Sequence, residues 1–216
     1  VVHAKVKELA PGLRRTFAMN TLSVEAFRDH VEIFIPVIER IKPETIQDLQ
    51  RDGFDVWWYT MGYAQWPDYH ANQDSVDHRI IMWMSWKYGV TGILRWALNR
   101  WGAFYSNKPW CEFTVTDDPA KRWPNTPWKT TNSSTYLFYP GPNGNPWASI
   151  RMENHRDGVE DYEYFVLLKR LIDGLKEEDL NDAARKEIKE ARTLLEIPKE
   201  IVQSRSDYAR KPETFD

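Results

Sequence analysis

The sequence has little of what would indicate a disulfide-stabilised, nucleic-acid-binding or membrane-spanning protein. Cys111 is its one cysteine, which excludes an internal disulfide. A formal net charge of −3 gives no electrostatic basis for binding nucleic acid or an anionic membrane. No apolar run approaches the length of a membrane span. The five histidines lack the paired spacing of zinc ligands, and we predict neither a metal nor another cofactor.

Tryptophan, in contrast, is abundant: the chain has 11, all between Trp57 and Trp147. An indole ring suits places where an apolar face meets a polar edge, and flat rings stack on the apolar C–H faces of sugars. The clustering therefore indicates a carbohydrate ligand. The alternative is that individual tryptophans pack in the core or anchor loops, as we expect for Trp83 and Trp86.

The first hundred residues alternate between helical and strand patterns. Apolar runs predict strands over residues 13–20, 32–38, 55–61 and 92–98, and helical spacing predicts helices at the start of the chain and over residues 23–30, 43–53 and 74–89. This alternation predicts parallel strands joined by right-handed crossovers. Four such units form a small open sheet or half of an eight-stranded TIM-type β/α barrel. The helical pattern already under way at Val1 favours the C-terminal half of a barrel in a longer protein.

Residues 99–150 break the alternation and are rich in proline, glycine, asparagine and aromatics. A loop of this length is uncommon unless it is functional or has structure of its own. Because it follows the last strand, we expect it over the C-terminal rim, where barrel enzymes place their sites. We therefore divide one partial domain, 1–216, into α/β units (1–101), an aromatic rim loop (102–150) and a helical segment (151–216).

The helical segment begins with a concentration of charge. Asp157 and Glu160 have the spacing of a capping box, which predicts that a helix begins at Asp157. We prefer this interpretation to an acid/base set formed by the nearby carboxylates, which are Glu153, Asp157, Glu160 and Asp161. Arg151, Glu153 and Arg156 are predicted to form a buried ion network beneath the rim.

Three segments carry more specific information. Residues 139–164 combine a Tyr-Pro-Gly turn with Ser-Ile-Arg-Met-Glu and Arg-Asp-Gly-Val-Glu-Asp-Tyr-Glu-Tyr. Residues 83–101 contain Trp-x-x-Trp-Lys-Tyr-Gly-x-x-Gly-x-Leu-x-Trp followed by Asn99 and Trp101, and residues 56–60 are Val-Trp-Trp-Tyr-Thr. Over about residues 1–210 the chain resembles the C-terminal half of the glycoside hydrolase family 123 catalytic domain and its uncharacterised relatives.

The resemblance implies a β/α barrel that hydrolyses β-linked N-acetylhexosamine, above all N-acetylgalactosamine, by a retaining, substrate-assisted mechanism. In this family the 2-acetamido oxygen attacks the anomeric carbon, an Asp orients that amide, and the neighbouring Glu is the general acid/base. Such enzymes are exceptions to the usual two-carboxylate scheme. This chain has no Asp-Glu dipeptide. We therefore expect no catalytic residue within it and place the pair upstream, in the remainder of its own barrel.

The resemblance also bears on substrate and location. Arg95 stands where the family usually has a hydrophobic or aromatic residue. This difference bears on which sugar the pocket accepts. The family implies a carbohydrate substrate and an extracellular or periplasmic location.

The sugar-binding candidates lie at or beyond the ends of predicted strands. Tyr59 and Thr60 end the third strand, and His70 is in the loop behind it. Asn99 has an amide that bonds sugar hydroxyls or an acetamido group through both its oxygen and its nitrogen. The predicted substrate-binding residues are Tyr59, Thr60, His70, Trp96, Asn99, Trp101 and Tyr139. Glu39, after the second strand, is expected to be a solvated loop acid.

Two other functions stay open at this point. A carbohydrate-binding member of the same fold would keep the aromatic pocket without the acid pair, and an interaction module would use its tryptophans for packing. Because four strands of a barrel leave open edges and an exposed apolar interior, the 216 residues alone are also expected to fold poorly.

Overall fold

A parallel sheet is the centre of the protein. The computed structural model describes residues 2–19, 24–60, 66–71, 73–99, 137–141, 145–176 and 180–211. The main sheet has the order β1-β2-β3-β4, with strands Thr16–Met19, Ile33–Pro36, Asp55–Tyr59 and Gly92–Leu94. Each strand is parallel to the next. The α/β class, the four predicted strands and their parallel pairing are confirmed, whereas the half-barrel stays a prediction.

Helices connect and cover these strands. In chain order they are α1 (Val2–Leu9), α2 (Pro43–Arg51), α3 (Asp77–Lys87), α4 (Ile150–Asp173) and α5 (Asp182–Thr193). The helix predicted over residues 23–30 is a short 3-10 helix, Glu25–Phe27. A small antiparallel hairpin of β5 (Phe138–Pro140) and β6 (Pro146–Ala148) lies at the end of the predicted rim loop. No helix in the described part of the chain has the length and apolar character needed to cross a membrane.

The core lies between one face of the sheet and the helices α2 and α3. Alternation along β3 places Val56 and Trp58 on this face, where both are buried in one cluster with Phe34, Leu49 and Ile81. All four residues of β2 are buried, and this strand accordingly reads as an unbroken apolar run. Trp58 is a packing residue.

Trp57 and Tyr59 lie on the opposite face of β3 and are partly exposed. The Trp57 indole covers Gly92 of the neighbouring strand so closely that a Cβ there would lie 2.6 Å from the ring. Gly92 is therefore the residue that allows β4 to pair beside Trp57. This face ends at Tyr59, at the carboxyl edge of the sheet.

Helix α4 begins earlier than the sequence predicts. The Ser149 side chain caps it by accepting a hydrogen bond from the Met152 amide at 3.3 Å. Asp157 lies inside this helix, so the predicted capping box of Asp157 and Glu160 is wrong. Residues three apart share a helix face as readily as they form a capping box, and the spacing does not distinguish the two. Both acids instead pair with Arg156, at 3.3 and 3.5 Å.

A close crossing joins α3 to α4. A Cβ on Gly158 would lie 2.7 Å from the carbonyl oxygen of Arg79, so the two helix backbones are nearly in contact. Beside this point, the Asp161 carboxylate accepts hydrogen bonds from Arg79 at 2.6 and 2.9 Å and from Trp83 at 2.7 Å. The Asp-Gly-Val-Glu-Asp part of the motif is therefore a helix-packing sequence, and Asp161 is structural.

Beyond α5 the chain returns across α3 as residues 195–210, which we call the C-terminal segment. Its buried apolar side chains pack in a cluster with Val76, Ile80 and Met84; they are Ile197, Val202 and Tyr208. The Trp86 indole N–H donates to the Leu195 carbonyl at 2.7 Å. Trp83 and Trp86 thus pack between elements, as the sequence predicts.

We predict that Ser149→Ala lowers the free energy of unfolding by about 1 kcal/mol, because the first turn of α4 loses its cap. Urea unfolding at neutral pH measures this change. Asp157→Ala serves as the comparison and should stay within about 0.5 kcal/mol of the parent. A larger cost for Asp157→Ala than for Ser149→Ala would contradict a helix that begins at Ile150.

In an ordinary helix interior, Gly→Ala stabilises by roughly 0.5–1 kcal/mol. At position 158 the new methyl group collides with the Arg79 carbonyl, so we expect Gly158→Ala to destabilise by about 1–3 kcal/mol in urea unfolding. Gly12→Ala is the control, because no atom lies within 4 Å of its new Cβ, and it should be neutral or slightly stabilising. Stabilisation by Gly158→Ala would mean that the helices do not cross this closely.

Candidate functional site

The carboxyl ends of β3 and β4 lie side by side, and the residues that follow them form one cluster. Thr60 follows β3, and Arg95 follows β4. Nη1 of Arg95 donates to the Thr60 hydroxyl at 3.1 Å and to Oδ1 of Asp68 at 2.9 Å. Ligand sites of parallel α/β sheets lie outside the carboxyl ends of the strands. The Arg95–Asp68 pair is therefore at the edge where a site is expected.

Asp68 is fully buried and is bonded through both carboxylate oxygens. Arg95 bonds Oδ1, and Nδ1 of His70 bonds Oδ2. Burial alone would raise the pKa of the Asp68 carboxyl, but the hydrogen bond to His70 and the charge of Arg95 bring that pKa below its ordinary value. Asp68 is consequently ionised at neutral pH, and Nδ1 of His70 donates to it. Nε2, on the other side of the ring, is the His70 atom suited to contact a ligand.

Tyr69, between these two residues, anchors their loop to the helices. Its hydroxyl lies 2.8 Å from Nδ1 of His155, and its carbonyl accepts a 2.7 Å hydrogen bond from Arg151. Its ring is nearly parallel to that of His78, with 5.7 Å between the centroids. The guanidinium carbon of Arg95 lies 5.2 Å from the Tyr69 ring centroid. The loop is thus fixed by α3 and α4 as well as by the strand ends.

Burial keeps the two histidines beside Tyr69 uncharged at neutral pH. It lowers the pKa of His78 to about 4, an effect to which the charge of Arg151 adds, and it also lowers the pKa of His155. The charges next to Tyr69 are therefore those of Arg151 and the Arg95–Asp68 pair. Within the described ranges, His, Cys, Asp and Glu side chains form no group of three that would hold a metal ion.

The structure brings three of the predicted substrate-binding residues together. Thr60 is buried and bonded to Arg95, and His70 is bonded to Asp68. Tyr59 is half-buried, and both Arg95 and Asp68 are near enough to influence the pKa of its hydroxyl, which burial raises. The sequence predicts Tyr59 and Thr60 at the end of the third strand and His70 in the loop behind it, and that loop brings His70 back to the strand end.

Three further candidates continue from this cluster toward solvent. The Trp96 side chain is 50% exposed, and Asn99 is also exposed. The carbonyl of Leu98 accepts hydrogen bonds from the amides of residues 137 and 138, at 2.7 and 3.0 Å, which places β5 and hence Tyr139 beside residues 95–99. Trp101 lies outside the described residues.

Of the three residues of the predicted buried ion network, Arg151 alone is buried. Arg151 is 3% exposed and bonds the Tyr69 carbonyl. Glu153 and Arg156 instead form an exposed pair at 2.5 Å, so their place in a buried network is wrong. The helix explains the difference, because Arg151 faces the core while Glu153 and Arg156 share the outer face of α4.

Comparison with known proteins identifies the family. The family model described as Glycoside hydrolase 123, catalytic domain, matches residues 1–168. The chain belongs to the glycoside hydrolase 123 family.

A solved structure is similar to this glycoside hydrolase 123 chain. It is that of a family 123 glycoside hydrolase from Clostridium perfringens, whose description concerns the details of glycolipid glycan hydrolysis. The two chains are 16% identical with a TM-score of 0.49, and the similarity covers 74% of this chain and 26% of that one. The chain thus spans about a quarter of the length of the structure it matches. No curated protein matches the chain.

Sequence reasoning missed two residues of the site, and it also misjudged the exposure of Glu39. Asp68 and Tyr69 belong to the sequence Trp66-Pro-Asp-Tyr-His70 that follows β3, and an acid two residues before a histidine was the available signal. Glu39 was predicted to be solvated, yet its carboxylate oxygens are shielded from solvent. Arg95 is the partner of Asp68.

We predict that Arg95→Met destabilises the fold by about 3–5 kcal/mol, because Asp68 becomes a buried charge without its cationic partner. Urea unfolding at pH 7 measures this cost. The double variant Arg95→Met/Asp68→Asn should recover part of it, since no buried charge then remains at this position.

The cost of Arg95→Met should also shrink in acid. Asp68 has a folded-state pKa below its unfolded value of about 3.9, so the ionised pair stabilises the fold above that pH. This contribution is lost as the pH falls through the folded-state pKa. A cost that is equal at neutral and acidic pH would contradict an ionised Asp68.

Proposed function

We propose that this chain provides the sugar-binding part of a glycoside hydrolase acting on β-linked N-acetylhexosamine, with N-acetylgalactosamine preferred. One observation carries the proposal: a buried Arg95–Asp68 pair fixes His70 at the sheet edge at which the Trp96 ring is half exposed. Membership of the glycoside hydrolase 123 family supports the reaction class.

Trp96 and His70 offer complementary contacts to a sugar. A half-exposed indole provides a flat surface for the apolar C–H face of the ring. Nε2 of His70 and the exposed amide of Asn99 provide polar contacts for hydroxyl or acetamido groups. Because Asp68 fixes the His70 ring before any ligand arrives, less ordering is needed on binding.

The acid/base chemistry is proposed to come from other residues. A general acid working near neutral pH needs a pKa raised toward that pH. Asp68 has the opposite net shift, since the hydrogen bond to His70 and the charge of Arg95 outweigh burial. The sequence also has no Asp-Glu dipeptide. We therefore propose a retaining, substrate-assisted reaction that uses an Asp-Glu pair outside these 216 residues. On this proposal, the 216 residues alone do not cleave the sugar.

The full-length protein that carries these residues should hydrolyse 4-nitrophenyl β-N-acetylgalactosaminide and release a β-anomer, as followed by NMR. The matching β-galactoside, which lacks the acetamido group, should be cleaved far more slowly because it has no internal nucleophile. Comparable rates on the two substrates would exclude substrate assistance.

A second candidate is a non-catalytic carbohydrate-binding protein. Asp68 is ionised, and the sequence has no Asp-Glu dipeptide. Both observations favour a binding protein over a hydrolase whose catalytic residues all lie within these 216 residues. Binding of N-acetylgalactosamine by the full-length protein without hydrolysis would select this candidate.

We predict that Trp96→Ala weakens N-acetylgalactosamine binding by about tenfold, the equivalent of about 1.4 kcal/mol, through loss of the stacking surface. Calorimetric titration measures the affinity, and the thermal midpoint should change little because the side chain is half exposed.

Trp83→Phe is the matched control, since the Trp83 ring packs against Phe165 between α3 and α4. It should lower the thermal midpoint while leaving the affinity unchanged. If Trp96→Ala behaves in the same way as Trp83→Phe, Trp96 is a packing residue.

A further inference from the structure

The C-terminal segment contacts the loop that carries Asp68 and His70, although it lies beyond the matched residues 1–168. The guanidinium carbon of Arg205 lies 5.3 Å from the centroid of the Trp66 ring, at the start of this loop. The same guanidinium donates to the carbonyl of Ile38, next to the end of β2. Arg205 therefore joins the C-terminal segment to the carboxyl edge of the sheet and to the first residue of the described loop.

Tyr208 makes a second connection through a buried acid. Its hydroxyl donates to Oδ1 of Asp77 at 2.9 Å, in the first turn of α3. The backbone amide of Asp68 is near enough to the Asp77 carboxylate to lower its pKa. Arg210 lies 3.9 Å from the same carboxylate and 3.1 Å from Asp74. Tyr208 thus contacts Asp77, and Asp77 is electrostatically connected to the main chain of the site loop.

Burial makes this connection sensitive to the loss of any donor. Asp77 has no exposed surface, and burial raises the pKa of its carboxyl to about 6, against the opposing effects of the Tyr208 hydrogen bond and the Arg210 charge. Asp74 adds to the rise. A buried carboxylate that loses a donor is left partly unsatisfied, which favours a shift of the groups around it, the Asp68 backbone among them.

We propose that Tyr208 and Arg205 are positioning residues for the sugar site: they hold the Trp66–His70 loop, and through it the His70 ring, in its ligand-binding place. This rests on the proposed function, because the loop is taken to contact the sugar. Neither residue touches the sugar or the reacting atoms. The C-terminal segment thereby belongs to the machinery of the site although it is remote from it in sequence.

The test is Tyr208→Phe in the full-length protein. We expect KM for 4-nitrophenyl β-N-acetylgalactosaminide to rise about fivefold with kcat within about twofold, the effect of one lost hydrogen bond on binding. The ring ¹⁵N signals of His70 should move at the same time. Tyr164→Phe, which removes a hydroxyl from a tyrosine that is 70% exposed on α4, is the matched control and should change neither quantity.

Asp77 provides a graded series. Asp77→Asn keeps an acceptor oxygen for the Tyr208 hydroxyl, so its KM should stay closer to the parent value than that of Asp77→Leu. If Tyr208→Phe or Asp77→Leu fails to fold, Arg205→Lys tests the positioning role instead. This variant keeps the charge and removes the planar group that lies over Trp66. Arg205→Lys should then show the rise in KM and the displaced His70 signals.

The outcomes separate the two proposals. A lower thermal midpoint with unchanged KM and unchanged His70 signals in Tyr208→Phe and Arg205→Lys would overturn the positioning role and leave a structural one. If the parent protein neither binds nor cleaves the sugar, the proposed function fails. The His70 signals still test the positioning role in that case, since they are recorded without substrate.

Discussion

The buried ion pair of Arg95 and Asp68 determines how the carboxyl edge of this sheet is built. The Arg95 and Asp68 side chains are 6% and 0% exposed. Such a pair is tolerated when hydrogen bonds satisfy the remaining polar atoms. Thr60 and His70 supply such hydrogen bonds, one from the end of β3 and one from the loop behind it. The requirement to satisfy one buried pair thus fixes the position of His70, the residue most suited to contact a ligand.

Helix α4 supports this arrangement from behind. Its first turn provides Arg151 to the Tyr69 carbonyl, and its middle approaches α3 closely enough to require Gly158. One helix therefore satisfies the backbone of the site loop and also joins the site to the core. The charged residues of its motif divide between these tasks and the solvent, as Arg151, Asp161 and the exposed Glu153 illustrate.

The sequence predicts the scaffold well because burial leaves a periodic record. Strands covered by helices are apolar runs, and all four were found within a few residues. The start of α4 was missed because the spacing of Asp157 and Glu160 fits a cap and a helix face equally well. Tyr59 and Thr60 were predicted from a strand end and His70 from the loop behind it, and the structure places all three around Asp68. That they bind sugar stays a prediction. The contacts of Asp68 with Arg95, and of Tyr69 with His155, join residues 27 and 86 positions apart, and no local pattern encodes such distances.

The hydrogen bonds from the amides of residues 137 and 138 to the Leu98 carbonyl bring together the two ends of a long stretch of chain. Both hydrogen bonds use main-chain atoms, so this contact does not depend on the side chains of the site. Proline has no amide N–H, and at position 137 or 138 it would remove one of the two donors.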